Sequence, residues 1–315
     1  MACYVYDELM STAHIPQGHH VERPERVECI YEVVSKMGLT RLPSRLVTID
    51  EIHRAHGKKY LTKMGKHGSL ANSDMYWTHS SYLSVLLSAG CTCQMVNHIL
   101  DHPECSRGFA IVRPPGHHAS YNKESGFCWL NNIMIGAMSA LSRPNVNRVL
   151  IVDWDVHYHL GTADILAKVS DKKEKPDDIT VFSMHRFDNG EFFPGAGSGR
   201  TSVRHNGRVV NQGFNGPYGD KEVITALQGF LEDYETVGTR LGHGPPDLIL
   251  VSCGFDAAEG DLLGGCHVTP AAYAVMTKML VDVCPRVGMV LEGGYSLPVL
   301  QECSRAVCDV LRLNV

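Results

Sequence analysis

Several short strings in this chain hold residue types that can bind and use a metal ion. Asp153-Trp-Asp155-Val-His157 sets a carboxylate and an imidazole two residues apart. Side chains at that spacing share one face of a strand, so Asp155 and His157 can offer oxygen and nitrogen donors to one divalent cation. Asp153 falls on the same face and can orient a ligand or a histidine from behind. Asp256, in Gly254-Phe-Asp256, can supply a third ligand from a neighbouring strand. Three protein ligands with an open fourth position describe a catalytic metal site rather than a structural one. His117 and His118 follow the turn-forming Arg113-Pro-Pro-Gly116. One of two imidazoles beside a metal can act as general base toward a water, while the other stabilises charge. Tyr295, after two glycines, can donate a hydrogen bond to an oxyanion. Phe127, after Gly126, and Phe193, before Pro194-Gly195, can wall a narrow apolar channel. Each string alone has an ordinary explanation: surface polar pairs, loop histidines, a buried tyrosine, core phenylalanines. Their shared placement, each just after a strand-like run, favours a site.

Those runs are Gly108–Arg113, Val149–Asp153, Ile179–Ser183, Leu248–Ser252 and Val287–Leu291. Continuous apolar stretches of this length suit strands buried on both faces, as in a parallel sheet. Helical spacing of apolar residues lies between or after them, over Asn131–Ser142, Asp220–Leu241, Thr269–Val283 and Leu297–Leu313. Ser296 sits where an N-cap would begin the last of these. The alternation predicts a doubly wound α/β domain, whose ligands bind outside the carboxyl ends of the strands. The N-terminal third reads helical, over Glu25–Leu39, Ile49–Gly68 and Thr78–Asp101. Charged, proline-containing Ser170–Asp178 reads as an exposed loop within one domain.

Composition limits the alternatives. The 315 residues are 44% hydrophobic and 20% charged, as in ordinary globular proteins. Lys and Arg number 29 against 34 Asp and Glu, and there is no long basic run, so neither bulk nucleic-acid binding nor a nuclear signal is indicated. No apolar run suggests a membrane span, and the first residues do not form a secretory signal. The eleven cysteines lack paired spacing and read as reduced, buried thiols of an intracellular protein. Cys91-Thr-Cys93 has no second Cys/His pair at finger spacing and reads as core.

Taken in order, Arg113-Pro-Pro-Gly-His-His-Ala119, Gly126-Phe-Cys128, Asp153-Trp-Asp-Val-His157, Gly254-Phe-Asp-Ala257 and Leu291-Glu-Gly-Gly-Tyr295 resemble the motifs of the zinc-dependent histone deacetylases. Trp154, Phe255, Glu292 and Gly260-Asp-Leu-Leu-Gly-Gly265 resemble the class II branch, and Arg23-Pro-Glu-Arg26 resembles that branch's N-terminal region. The resemblance implies one catalytic domain over residues 1–315 with the arginase–deacetylase fold, a mostly parallel central sheet flanked by helices. It implies hydrolysis of N-acetyl-lysine on proteins, whether histone or not, in the nucleus or cytoplasm, with regulatory protein partners open. By position, Asp155, His157 and Asp256 match the ligands of one zinc ion, a set that also admits iron(II). His118 matches the general base beside His117, Tyr295 the oxyanion donor, and Gly126, Phe127, Phe193 and Leu263 the substrate channel and its rim. Asp153, the main chain at Asp155 and His157, Ser183 and Met184 match a potassium site.

One segment departs from the pattern. Where class II members usually read His-His-Gly-Asn-Gly-Thr, this chain reads His157-Tyr-His-Leu-Gly-Thr162. The family's polar residue at position 160 bonds the second tandem histidine, and leucine cannot. Tyr158 or His159 is the candidate replacement, and His118 without one has a lower pKa and a looser tautomer. Three other readings stand beside the deacetylase one. An arginase-like ureohydrolase would need a further carboxylate where His159 stands. An acetylpolyamine deacetylase would favour an acidic rim where the chain has Leu262-Leu263. A catalytically weak acyl-lysine-binding scaffold is suggested only by the altered segment.

Overall fold

A computed structural model of the chain describes all residues except 65–69, 72–74, 172–178, 198–201, 205–208, 241–243 and 314–315. In chain order the elements are β1 (Ala2–Val5), α1 (Leu9–Thr12), α2 (Glu25–Val34), β2 (Thr40–Leu42), α3 (Ile49–Ala55), α4 (Tyr60–Met64), β3 (Leu70–Ala71), β4 (Tyr76–Trp77), α5 (Ser81–Asp101) and β5 (Arg107–Ala110). There follow α6 (Asn132–Leu141), β6 (Val149–Asp153), α7 (Leu160–Asp171), β7 (Ile179–Arg186), β8 (Ser202–Arg204), β9 (Val209–Phe214), α8 (Asp220–Arg240), β10 (Leu248–Cys253), α9 (Pro270–Val283), β11 (Val287–Leu291) and α10 (Leu297–Leu311).

Nine strands form one sheet in the order β2-β1-β5-β11-β10-β6-β7-β9-β8. Eight run parallel, and only the edge strand β8 is antiparallel to its neighbour. Every residue of β5, β6, β10 and β11 is buried, as the mostly apolar runs of β6, β10 and β11 require when helices cover both faces. One group of helices comprises α3, α5 and α6; α2, α8, α9 and α10 form the other. The register aligns the central strand ends: Asp153 pairs with Ser252 and Ser183, Cys253 with Leu291, and Val290 with Ala110. All the loops that follow these strands therefore leave from one edge of the sheet.

The N-terminal third is less helical than its periodicity suggests. It contributes β1 and β2 to the sheet, in runs of four and three residues, too short for periodicity to reveal. The helix expected over Ile49–Gly68 breaks after α3, where His56 is extended. There the His56 Nε2 accepts the Asn131 amide at 2.9 Å and the Gly57 amide bonds the Tyr121 carbonyl at 3.1 Å, so tertiary contacts outbid the helix. The end of that expected helix, residues 65–68, lies outside the described residues. Expected loop Ser170–Asp178 begins as the last turn of α7, and residues 172–178 lie outside the description. Contrary to the sequence expectation, α5 is long and apolar enough to cross a membrane, but most of it is buried in the core, where it packs on α6, β1 and β5. All eleven cysteines are free and buried.

Candidate metal and catalytic site

Asp155 and His157 lie just beyond β6 rather than on it, and local turns bring them together. The Asp153 Oδ1 accepts the Asp155 amide at 3.1 Å, and the Asp155 Oδ1 accepts the His157 amide at 2.9 Å. The His157 Nδ1 then stands 3.0 Å from Asp155 Oδ1 and 3.1 Å from Asp256 Oδ2. Asp256, following β10, accepts the Val156 amide through its other oxygen at 2.8 Å, which locks the two loops together. The Gly293 amide donates to Asp155 Oδ2 at 2.8 Å, and a Cβ there would lie 2.2 Å from Asp256 Oδ2; only glycine admits this approach.

One donor atom from each of Asp155, His157 and Asp256 lies within 4.8 Å of the others. Burial, then the Asp155 carboxylate, push the Asp256 carboxyl up to about 7. Burial lowers the His157 pKa, but the Asp155 and Asp256 carboxylates reverse this and raise it to about 10. Two buried carboxylates converging on one imidazole favour a cation between them, and the oxygen and nitrogen donors fit zinc.

The tandem histidines sit on the next loop. Glu292, buried at the end of β11, accepts the Gly116 and His117 amides at 2.7 and 3.1 Å through one oxygen and so fixes that loop. The His117 Nδ1 donates to Asp153 Oδ2 at 3.0 Å. Burial opposes a charge on His117, but Asp155 and Asp153 hold its pKa well above the ordinary histidine range. His118 behaves oppositely: burial, with His117 and His157 beside it, depresses its pKa well below that range. Among the described residues nothing bonds the buried His118 Nδ1. His159 is buried and turns its Nε2 toward Asn211 Oδ1 at 3.3 Å, and the Tyr158 ring makes tilted contacts with those of His159 and His185. The Leu160 side chain is exposed at the start of α7.

A cavity of about 290 Å³ opens over these groups, walled by Phe127, Phe192 and Phe193, with Leu263, His157 and Tyr295 on its lining. The Phe193 ring meets His118 edge-on at 5.2 Å, and Phe127 meets Tyr295 edge-on at 5.9 Å. Gly126 has φ +52°, and a Cβ there would strike the His118 ring at 2.4 Å. The amide of Tyr295 is held by Asp261 Oδ2 at 2.6 Å, and the same oxygen accepts the Ser296 amide at 3.2 Å. Ser296 stands at the N-cap position of α10 as expected, but its side chain makes no capping bond; the Asp261 carboxylate holds this turn.

Residue type and spacing do not mark Arg26, Asp261 or Phe192 as site residues, and Glu292 reads only as a branch marker. Arg26 donates to the carbonyls of Glu292 and Gly294 and lies over the Tyr295 ring. Phe192 stacks on the His157 ring at 5.3 Å, and its place beside Phe193 was the one available signal. Asp153 and Ser183 are opposed across β6 and β7, both fully buried, while the Ser183 Oγ also lies 3.0 Å from His185 Nδ1. Met184 follows on β7, also buried. Carboxylate and hydroxyl oxygens at this point fit a hard cation.

These features define an α/β protein with a candidate metal-binding pocket at the carboxyl edge of a parallel sheet. Residues 20–311 match the sequence model of the Histone deacetylase domain. The chain is 34% identical to Histone deacetylase clr3 of Schizosaccharomyces pombe over 93% of its length and 45% of the relative's. It is 33% identical to Histone deacetylase 15 of Arabidopsis thaliana over 97% of its length and 56% of the relative's. The crystal structure of the HDA15 HD domain superposes with a TM-score of 0.87 at 33% identity, covering 98% of this chain and 90% of that one. The chain belongs to the histone deacetylase family, with relatives in class II. It spans about half the length of the curated relatives it matches. The family implies a zinc site, for which Asp155, His157 and Asp256 are the candidate group.

Proposed function

We propose that the chain hydrolyses N-acetyl-lysine in proteins with one zinc ion held by Asp155, His157 and Asp256. The observation that carries this reading is the convergence of that group, the tandem histidines and Tyr295 on one aromatic-walled cavity. The cavity suits an extended lysine stem, with Gly126, Phe127 and Phe193 along it and Leu263 at the rim. A bound zinc ion supplies Lewis acidity, polarising the amide carbonyl and lowering the pKa of the attacking water toward about 7. Neutral His118 takes the water's proton as the water oxygen adds to the carbonyl carbon. The Tyr295 hydroxyl donates to the oxyanion, and charged His117, braced by Asp153, adds electrostatic support. The carbon–nitrogen bond then breaks and His118 returns its proton to the lysine amine, releasing acetate. Asp153, Ser183 and Met184, with the main chain at Asp155 and His157, are the proposed potassium site. Buried free thiols suit a reducing, intracellular setting.

The test is a panel of peptides carrying acetyl and longer acyl groups on lysine, assayed with zinc-reconstituted protein and again with chelator. Chelator-sensitive release of acetate is expected. Binding of acetylated peptide without turnover would favour the acyl-lysine-binding alternative, which the altered Tyr158-His159-Leu160 segment suggests. Turnover of acetylpolyamines in preference to peptides would overturn the protein-substrate reading.

A further inference from the structure

At the opposite edge of the sheet, where β1 and β5 begin, the fold gathers two thiols and an imidazole. Cys3 lies on β1 and is fully buried. Cys105 lies in the turn between α5 and β5 and is 3% exposed. His98 comes from the last turn of α5. The pairing of Cys3 with Gly108 sets the first thiol beside the segment that carries the second. One donor atom of each residue lies within 4.8 Å of the other two. Donor atoms around a tetrahedral zinc ion with such ligands stand about 3.3–3.8 Å apart, a spacing that this limit admits.

A second observation points the same way. The ring of His98 is half-buried with its Nε2 shielded from solvent, and the polar neighbour of that ring is the Cys105 thiol, which leaves Nε2 without a conventional N or O partner among the described residues. Buried polar atoms of this kind nearly always have a partner. The His102 ring stacks against that of His98 at 4.3 Å, and the His102 Nδ1 meets Glu104 at 3.0 Å, which holds the His98 ring in place.

We propose that Cys3, His98 and Cys105 form a second metal site that takes a thiophilic ion, zinc foremost. Two thiolates and an imidazole are softer donors than the carboxylate-rich set at Asp155 and prefer ions such as zinc over magnesium or calcium. The ion would join β1 to the end of α5 and the start of β5, segments about a hundred positions apart in sequence, and so serve as a clamp on the sheet rather than in hydrolysis. The inference is independent of the deacetylase reading.

The experiment uses the full chain, purified reduced, and reads metal content together with the cobalt(II) spectrum. The catalytic group has no sulfur, so a near-ultraviolet thiolate-to-cobalt charge-transfer band can come only from a thiolate site. Wild type should hold two zinc equivalents and show the band with cobalt. Asp256→Ala should lose one equivalent and keep the band. Cys105→Ser should lose the other equivalent and the band while retaining peptide turnover. His98→Gln, a milder change nearer the surface, should weaken zinc binding at this site and serves if the cysteine variants fail to fold. An absent band in wild type, equal zinc content in wild type and Cys105→Ser, or a Cys3–Cys105 disulfide in place of metal would overturn the proposal.

Discussion

The guanidinium of Arg26 lies 4.9 Å from the ring centroid of Tyr295 and donates to the carbonyls on both sides of Gly293, at Glu292 and Gly294. Its remaining nitrogen meets Glu22 at 3.1 Å, and Glu22 also receives a two-pronged contact from Arg113 at 2.9 Å for each prong. A fully buried ion network from the N-terminal region thus holds the backbone that aims the tyrosine.

Arg26→Met is expected to lower kcat with little change in KM and to destabilise the fold by roughly 3 kcal/mol, because it strips donors from two buried carbonyls and one partner from a buried carboxylate. Urea unfolding and steady-state kinetics check this. Unchanged kcat in a folded variant would show that Arg26 does not position Tyr295.

Tyr295→Phe tests the hydroxyl itself. It should keep the fold and the zinc content and slow hydrolysis by about 10²–10³-fold, the usual loss for one oxyanion donor. Metal analysis beside single-turnover rates separates this from a metal-binding defect. A rate within about twofold of wild type would remove the phenol from the mechanism.

Buried neutral histidines should make the fold acid-sensitive. Burial lowers the His56 pKa from 6.5 to about 4 despite the carbonyls of Tyr121 and Ser120 nearby, and burial lowers His14 to about 3. In each case the unfolded chain binds the proton first, so stability is present above pH 6.5 and is lost as pH falls toward the folded pKa. For His56 alone the loss between pH 6.5 and 4 is on the order of 3 kcal/mol. His56→Gln, which can still offer an acceptor to the Asn131 amide, should flatten that part of the stability-against-pH curve measured by urea titration. An unchanged slope would mean that other groups carry the acid limb.

The balance between what sequence reveals and what it hides follows from where each signal resides. β6, β10 and β11 are unbroken apolar runs, and burial on both faces makes such runs readable. β9 was not anticipated because Asn211, Gln212 and Gly213 interrupt it; it alternates buried and half-buried residues near the sheet edge. Asp155, His157 and Asp256 stand out because their chemistry is unusual at strand ends. Arg26 and Glu292 act through backbone groups far away in sequence, so no local spacing marks them. The Cys3–His98–Cys105 cluster escaped for the same reason, since only the β1–β5 pairing brings its parts together.

The last prediction concerns Leu160 and His118. The segment containing Leu160 packs directly behind the tandem histidines: a Cβ on Gly161 would lie 2.4 Å from the His118 carbonyl carbon, and the Thr162 amide bonds the His117 carbonyl at 3.1 Å. Yet nothing bonds the His118 Nδ1 among the described residues, and His159 is directed toward Asn211 instead. An acceptor behind Nδ1 would favour the tautomer that leaves Nε2 free to take a proton, and it would support the charged ring once the proton arrives. Leu160→Asn is therefore expected to raise kcat/KM on acetyl-lysine peptide. It should also move the acidic limb of the pH profile upward, because a stronger base is protonated, and so inactive, at a higher pH. A parallel gain without movement of that limb would point to altered packing rather than a new bond to His118. If neither the rate nor the profile changes, the side chain at position 160 does not reach the ring, and the departure from the family pattern has no bearing on the proposed general base.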